Sequence, residues 1–142
     1  MIIFVQRDYG ESERAKKAVL KKIKDICAKS VELTYSATGK PLLDDGYISF
    51  AHTENVFVAA YSSQNIGVDI EKKERKVTCE KIGDTERWTQ LEAFAKWTGE
   101  GVTKSLLDMQ IDVNYLSKAR IASDLWVTVF SADKDIAVCE IF

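Results

Sequence analysis

The chain has 142 residues, 46% apolar and 30% charged, with a formal net charge of −2. That composition suits one globular domain with a real core and excludes a disordered or low-complexity chain. It also supplies no overall basic field to draw the chain to nucleic acid or a membrane surface.

Ile2–Gln6 reads as a short buried strand, and Glu11–Lys29 as a helix, with Ala15, Ala18, Val19, Ile23, Ile26 and Cys27 recurring at three and four. The basic run Lys16, Lys17, Lys21, Lys22 and Lys24 on that helix is read as a solvated face. Strands are expected at Val31–Ser36, Tyr47–Ala51, Val56–Tyr61 and Asn65–Ile70, separated by turn chemistry at Thr38–Pro41, Asp44–Gly46 and Thr53–Asn55. A second helix is expected from about Glu86 to Thr98, stopped by Gly99. Leu125–Phe130 and Ile136–Phe142 around Ala132–Asp135 read as a closing hairpin. Strand, helix and strands thus recur twice, in halves of about 1–64 and 65–142, without a residue-level repeat. Short connections favour a mixed α+β domain with antiparallel strands.

Cys27, Cys79 and Cys139 are widely spaced, and His52 is the one histidine, so no Cys/His metal motif exists. Free thiols in a reducing compartment are the simple reading. The N-terminal apolar run is too short for a signal peptide, and no stretch approaches the roughly 20 apolar residues of a membrane span. A cytoplasmic protein is expected.

The segment Ile66–Glu74, IGVDIEKKE, poses a physical problem. Ile66, Val68 and Ile70 fall on one strand face, while Gly67, Asp69 and Glu71 fall on the other. Two like charges on one face repel unless water, a Lys or Arg, or a divalent cation lies between them. The second helix supplies a third acid, because Trp88, Glu92 and Lys96 share a face at spacings of four. Three carboxylates make an all-oxygen donor set of the kind that suits Mg²⁺, which usually takes the rest of its shell from water and phosphate. Lys96, His52 and Lys40 are then candidate phosphate contacts. Ordinary explanations stand beside each piece. The strand acids are also explained by a solvated sheet face. Thr89–Glu92 also fits a capping box, Glu92 and Lys96 an exposed ion pair, and Trp88 a core residue.

Order and combination add to this. Gly39-Lys40-Pro41, then ISFAHT at 48–53, GVDIE at 67–71 and WTQLEAFAKWTGEG at 88–101 follow one another. This succession resembles the Sfp-type 4′-phosphopantetheinyl transferases. That family shows a G-K-P turn, a strand ending like F-N-L-S-H-S, a G-[VI]-D-[IV]-E strand and a W-[ST]-x-K-E-[AS]-x-x-K helix. The resemblance spans about residues 38 to 101. It implies an α+β fold of two similar halves, each a helix packed on a small antiparallel sheet, with coenzyme A between them. It also implies roles: Asp69, Glu71 and Glu92 as Mg²⁺ ligands, His52 and Lys96 at the coenzyme A pyrophosphate, and Lys40 and Pro41 by the adenine. Arg14 matches a basic residue near the 3′-phosphate, without a firm motif to anchor it. Glu92 and Lys96 would be catalytic. The partner would be an acyl or peptidyl carrier protein, and a monomer could form the site.

Departures from the family pattern stand at two positions. Ala51 replaces the serine before the histidine, and Leu91 replaces the lysine before the helix glutamate. Both are expected to remove a polar contact to the coenzyme. The segment between Asp69 and Glu92 is also shorter than is typical. A degenerate coenzyme-A-binding protein and a plain interaction domain are the competing expectations.

Overall fold

In a computed structural model describing residues 1–142, the chain runs β1 (Ile2–Arg7), α1 (Ser12–Cys27), β2 (Leu33–Tyr35), β3 (Pro41–Leu43), β4 (Tyr47–His52), β5 (Val56–Ser62) and β6 (Ile66–Lys72). It continues through α2 (Thr85–Thr98), the short α3 (Lys104–Leu107), a 3₁₀ turn at Val113–Tyr115, β7 (Leu116–Lys118), β8 (Leu125–Ser131) and β9 (Ala137–Ile141). The fold is mixed α+β, with three helices and three sheets.

Strand β5 is apolar on both faces, and every residue from Val56 to Ala60 is buried. Such a strand needs cover on two sides. On one side, Phe57 and Ala59 join Phe4 and Ile48 beneath Ala15, Val19 and Ile23 of α1. On the other, Val56, Val58 and Ala60 join Ile3 and Val5 against Ile66, Val68 and Ile70 of β6 and Val127 and Val129 of β8. A third cluster sets Leu91, Ala93 and Ala95 of α2 against Phe130 of β8. The layers therefore run α1, the four-stranded sheet β4-β5-β1-β9, the three-stranded sheet β6-β8-β7, and α2. Strands β2 and β3 form a separate two-stranded ribbon.

The expected closing hairpin does not form. β8 pairs antiparallel with β6 from Ile66↔Ser131 to Lys72↔Leu125, and its other edge takes β7. Both edges of β8 are filled, so β9 crosses to the other sheet and lies parallel to β1, with Phe4 opposite Cys139. The four-stranded sheet is consequently mixed, not purely antiparallel. Asp133 anchors the crossover, accepting hydrogen bonds from the Met1 ammonium at 2.6 Å and Ser62 Oγ at 2.7 Å.

Helix α2 begins one residue before its expected start. Asp84 caps it, its side chain accepting from Arg87 N–H at 2.7 Å, and Gly99 closes it at φ +83°. The capping-box alternative at Thr89 is therefore excluded. Thr89 is fully buried mid-helix, and its hydroxyl bonds the Glu86 carbonyl and Thr128 Oγ1.

Gly67 lets α2 lie directly on β6. A Cβ at that position would fall 1.9 Å from the Ala93 carbonyl oxygen and 2.6 Å from the Trp97 nitrogen. Both are helix backbone atoms, which cannot rotate away as a side-chain tip can. Gly67→Ala is expected to cost about 3 kcal/mol or more, at the upper end of overpacking penalties. Urea unfolding measures this, and an unchanged midpoint would mean that α2 is not held at this separation.

Candidate functional site

Strand alternation and helical spacing bring the acids together. Gly67, Asp69 and Glu71 point from β6 toward α2, whose face carries Trp88, Glu92 and Lys96. Each strand acid has its own cation. Lys96 Nζ donates to Asp69 Oδ1 at 2.9 Å, and Arg75 forms an ion pair with Glu71. Trp88 Nε1 also donates to Glu71 Oε1 at 3.2 Å. The repulsion expected from the sequence is thus offset by side chains, one of them, Arg75, outside the residues singled out in the sequence.

Asp69 is only 7% exposed, and its Oδ2 is buried without a hydrogen-bond partner. Burial pushes its carboxyl up to about 6; Lys96 pulls it down, while the nearby Glu92 and Glu71 push it further up. Glu92 is half-buried and also raised, chiefly by burial, with Lys96 opposing. As folded, no three His, Cys, Asp or Glu side chains close into a group able to hold a metal ion. The donor chemistry nevertheless fits a hard cation. All three side chains offer carboxylate oxygens, and one of those oxygens is buried with no protein donor.

Beside this cluster lies a cavity of about 430 Å³. Lys40, Pro41, His52, Glu92 and Lys96 line it together with Lys16. Asp69 and Glu71 are outside its wall; Asp69 meets it through its ion pair with Lys96, while Glu71 lines a separate surface pocket with Arg75. Lys40 is already engaged. Its ammonium donates to Asn65 Oδ1 at 2.8 Å and to the Trp97 carbonyl in the last turn of α2, which also accepts from Asn65 Nδ2 at 3.0 Å. Burial lowers its pKa. Lys40 therefore fastens the Gly39 turn to the end of α2, whatever else it touches.

Arg14 is not brought to the cavity. It is exposed and outside the lining, whereas Ser12 and Lys16 of the same helix face inward. A helix turns about 100° per residue, so Arg14 points roughly 160° away from both. Lys16 takes the inward position, bonded to Glu13 at 2.7 Å and Tyr35 Oη at 3.1 Å. It is not on the solvated face assigned to the lysine run. The sequence held a signal for this. Lys16 follows Ala15 directly and sits at the rim of the buried stripe Ala15, Val19, Ile23, while Lys17 lies further round.

The two departures also change meaning. Ala51 is 4% exposed and packs between the sheets with Val58 and Val68, not against the cavity. A serine there would bury a hydroxyl in the core and touch no ligand in the cavity. Leu91 is fully buried beneath α2, a position where an unpaired lysine charge would be costly.

Asp69 couples the site to pH. Its carboxyl holds a proton more tightly in the folded chain than in the unfolded one. Its stabilising contribution is therefore present below about pH 4 and lost as pH rises toward 6. Asp69→Asn removes that loss, and Lys96, 31% exposed, can turn to water. The variant should gain stability relative to the parent between pH 4 and 7, by at most about 3 kcal/mol. Unfolding curves across that range check the sign, and a gap that narrows with pH would count against it.

Compared with known proteins, the chain matches no family model, and no curated protein matches it with significance.

Proposed function

We propose that the chain transfers the 4′-phosphopantetheine arm of coenzyme A to a serine of an acyl or peptidyl carrier protein, with Mg²⁺, releasing 3′,5′-ADP. One observation carries the reading. Lys40-Pro41, His52 and Lys96, which apart from Arg14 are the residues that the family resemblance assigns to the coenzyme, come from segments far apart in sequence and line one cavity with Glu92, which it assigns to the metal. The layer order lends it some support, since a helix covers each of the two larger sheets on its outer face, but β9 from the expected second half lies in the sheet of the first, parallel to β1. A single chain holds the whole cavity, in keeping with a monomer.

In this reading Asp69, Glu71 and Glu92 would hold Mg²⁺, which when bound neutralises pyrophosphate charge. Lys16 and Lys96 supply positive charge at the cavity wall. Lys96 turns from Asp69 toward the departing phosphate, where charge grows as the bond breaks. Glu92, made more basic by burial, takes the proton of the serine hydroxyl. The serine oxygen then bonds to the phosphorus carrying pantetheine, and the bond from that phosphorus to 3′,5′-ADP breaks with its electron pair leaving on ADP.

A second reading has its own observation. Ion pairs already engage one oxygen of Asp69 and one of Glu71, as in a coenzyme-A-binding protein that performs no transfer. Incubation with coenzyme A, Mg²⁺ and apo carrier proteins separates the two. Intact mass should show a carrier heavier by one phosphopantetheine. Calorimetric binding of coenzyme A without that gain, across fatty-acid, polyketide and nonribosomal-peptide carriers, would support the binder. If neither is seen, the proposed function fails.

The same assay tests Lys96. Its ammonium meets charge that develops during transfer, so Lys96→Ala should lower kcat about a hundredfold and weaken coenzyme A binding far less. Equal losses in affinity and kcat/KM would mean that Lys96 only binds.

A further inference from the structure

His52 is the last residue of β4 and lies on the cavity wall. Its Nδ1 has two oxygen neighbours, Tyr9 Oη at 3.1 Å and the carbonyl of Thr53 at 3.3 Å. Tyr9 Oη is itself 3.0 Å from that carbonyl. A carbonyl oxygen can only accept a hydrogen bond. If Tyr9 gave its proton to Nδ1, the Thr53 carbonyl would lose its tyrosine donor and face the ring nitrogen with lone pair against lone pair. If Tyr9 donates to the carbonyl instead, its oxygen accepts from Nδ1–H, and all three contacts are attractive. Only the second arrangement uses every contact. It leaves Nε2 as the nitrogen without a protein partner.

The geometry assigns Tyr9 the role of a positioning residue: it holds His52 as the Nδ1–H tautomer, so the neutral ring offers the cavity an acceptor at Nε2. Free histidine in water prefers the opposite tautomer, so the arrangement is imposed by the fold. The consequence for the ligand rests on the proposed function. A phosphate oxygen is also an acceptor, and it can meet Nε2 only after that nitrogen gains a proton. The charged side chains of the wall are Lys16 from α1, Lys40 ahead of β3, and Glu92 and Lys96 from α2. None of them hydrogen-bonds the ring, and the phenol of Tyr9 is the one titratable group that does. Contact between His52 and the pyrophosphate is therefore coupled to uptake of one proton at Nε2.

Because the chain has a single histidine, ¹⁵N labelling gives one imidazole spectrum. At a pH where that spectrum shows a neutral ring, Nδ1 should carry the proton in the parent protein. The Nε2–H form should gain in Tyr9→Phe, which keeps the ring packed on Phe57. A majority Nε2–H form in the parent, or an unchanged spectrum in the variant, would overturn the assignment. Calorimetry of coenzyme A with Mg²⁺ at the same pH, in buffers of unlike ionisation enthalpy, should show uptake approaching one proton, lost in His52→Gln. Binding without uptake would overturn the coupling. Failure of coenzyme A to bind at all would overturn the coupling and the proposed function together, and leave the tautomer to the spectrum.

Discussion

At Gly67 the backbone of α2 rests on the backbone of β6, at a separation no other residue type permits. The contact fixes how far the helix stands from the strand, and the rest of the site follows from that distance. Asp69 and Glu71, on the same strand face, are drawn under the helix and lose water. Lys96 and Trp88, one face of the helix, come within hydrogen-bond reach of them. Lys40 can reach the last turn of α2 because Gly99 leaves room for its side chain, whose Cδ would be 3.0 Å from a Cβ there. A helix held slightly higher would leave two solvated carboxylates and an exposed lysine.

Burying these acids has an energetic cost that local partners only partly offset. Lys96 counters the desolvation of Asp69 without cancelling it, and one carboxylate oxygen stays unbonded. A strained electrostatic arrangement of this kind is poor for stability and useful for chemistry, since shifted carboxyls cluster where proton transfer or ligand charge must be handled. It contrasts with the surface pairs, such as Lys29 with Asp45, whose charges remain in water.

Much of this could be read from the sequence where one local rule decides the outcome. Period-two alternation located β6 and its acid face, and spacing by four put Glu92 and Lys96 together. Gly99 marked the end of α2. Rules that need a partner element failed. Nothing near residue 137 indicates that β8 has no free edge for it, so the last two strands looked like a hairpin. Leu91 and Ala51 depart from a motif, but the core that surrounds them decides what they do. Arg14 and Lys16 differ by two positions on a helix, and only the direction of the buried stripe tells them apart. The strands β3 and β7, three residues each, are too short to carry a period.

The placement of β9 also bears on how the chain acquires its shape. Ile2 and Ala137 are neighbours in the sheet but lie almost a full chain length apart. On a ribosome, β1 emerges before β5 and can pair with it early, yet its second edge stays open until β9 has been made. An apolar strand waiting in that condition is a template for the wrong neighbour, including the same strand of another nascent chain. Contacts of such long sequence separation also slow the final step of assembly. The interval between the synthesis of β1 and that of β9 is therefore a period in which this fold is open to misassembly and has something to gain from a chaperone.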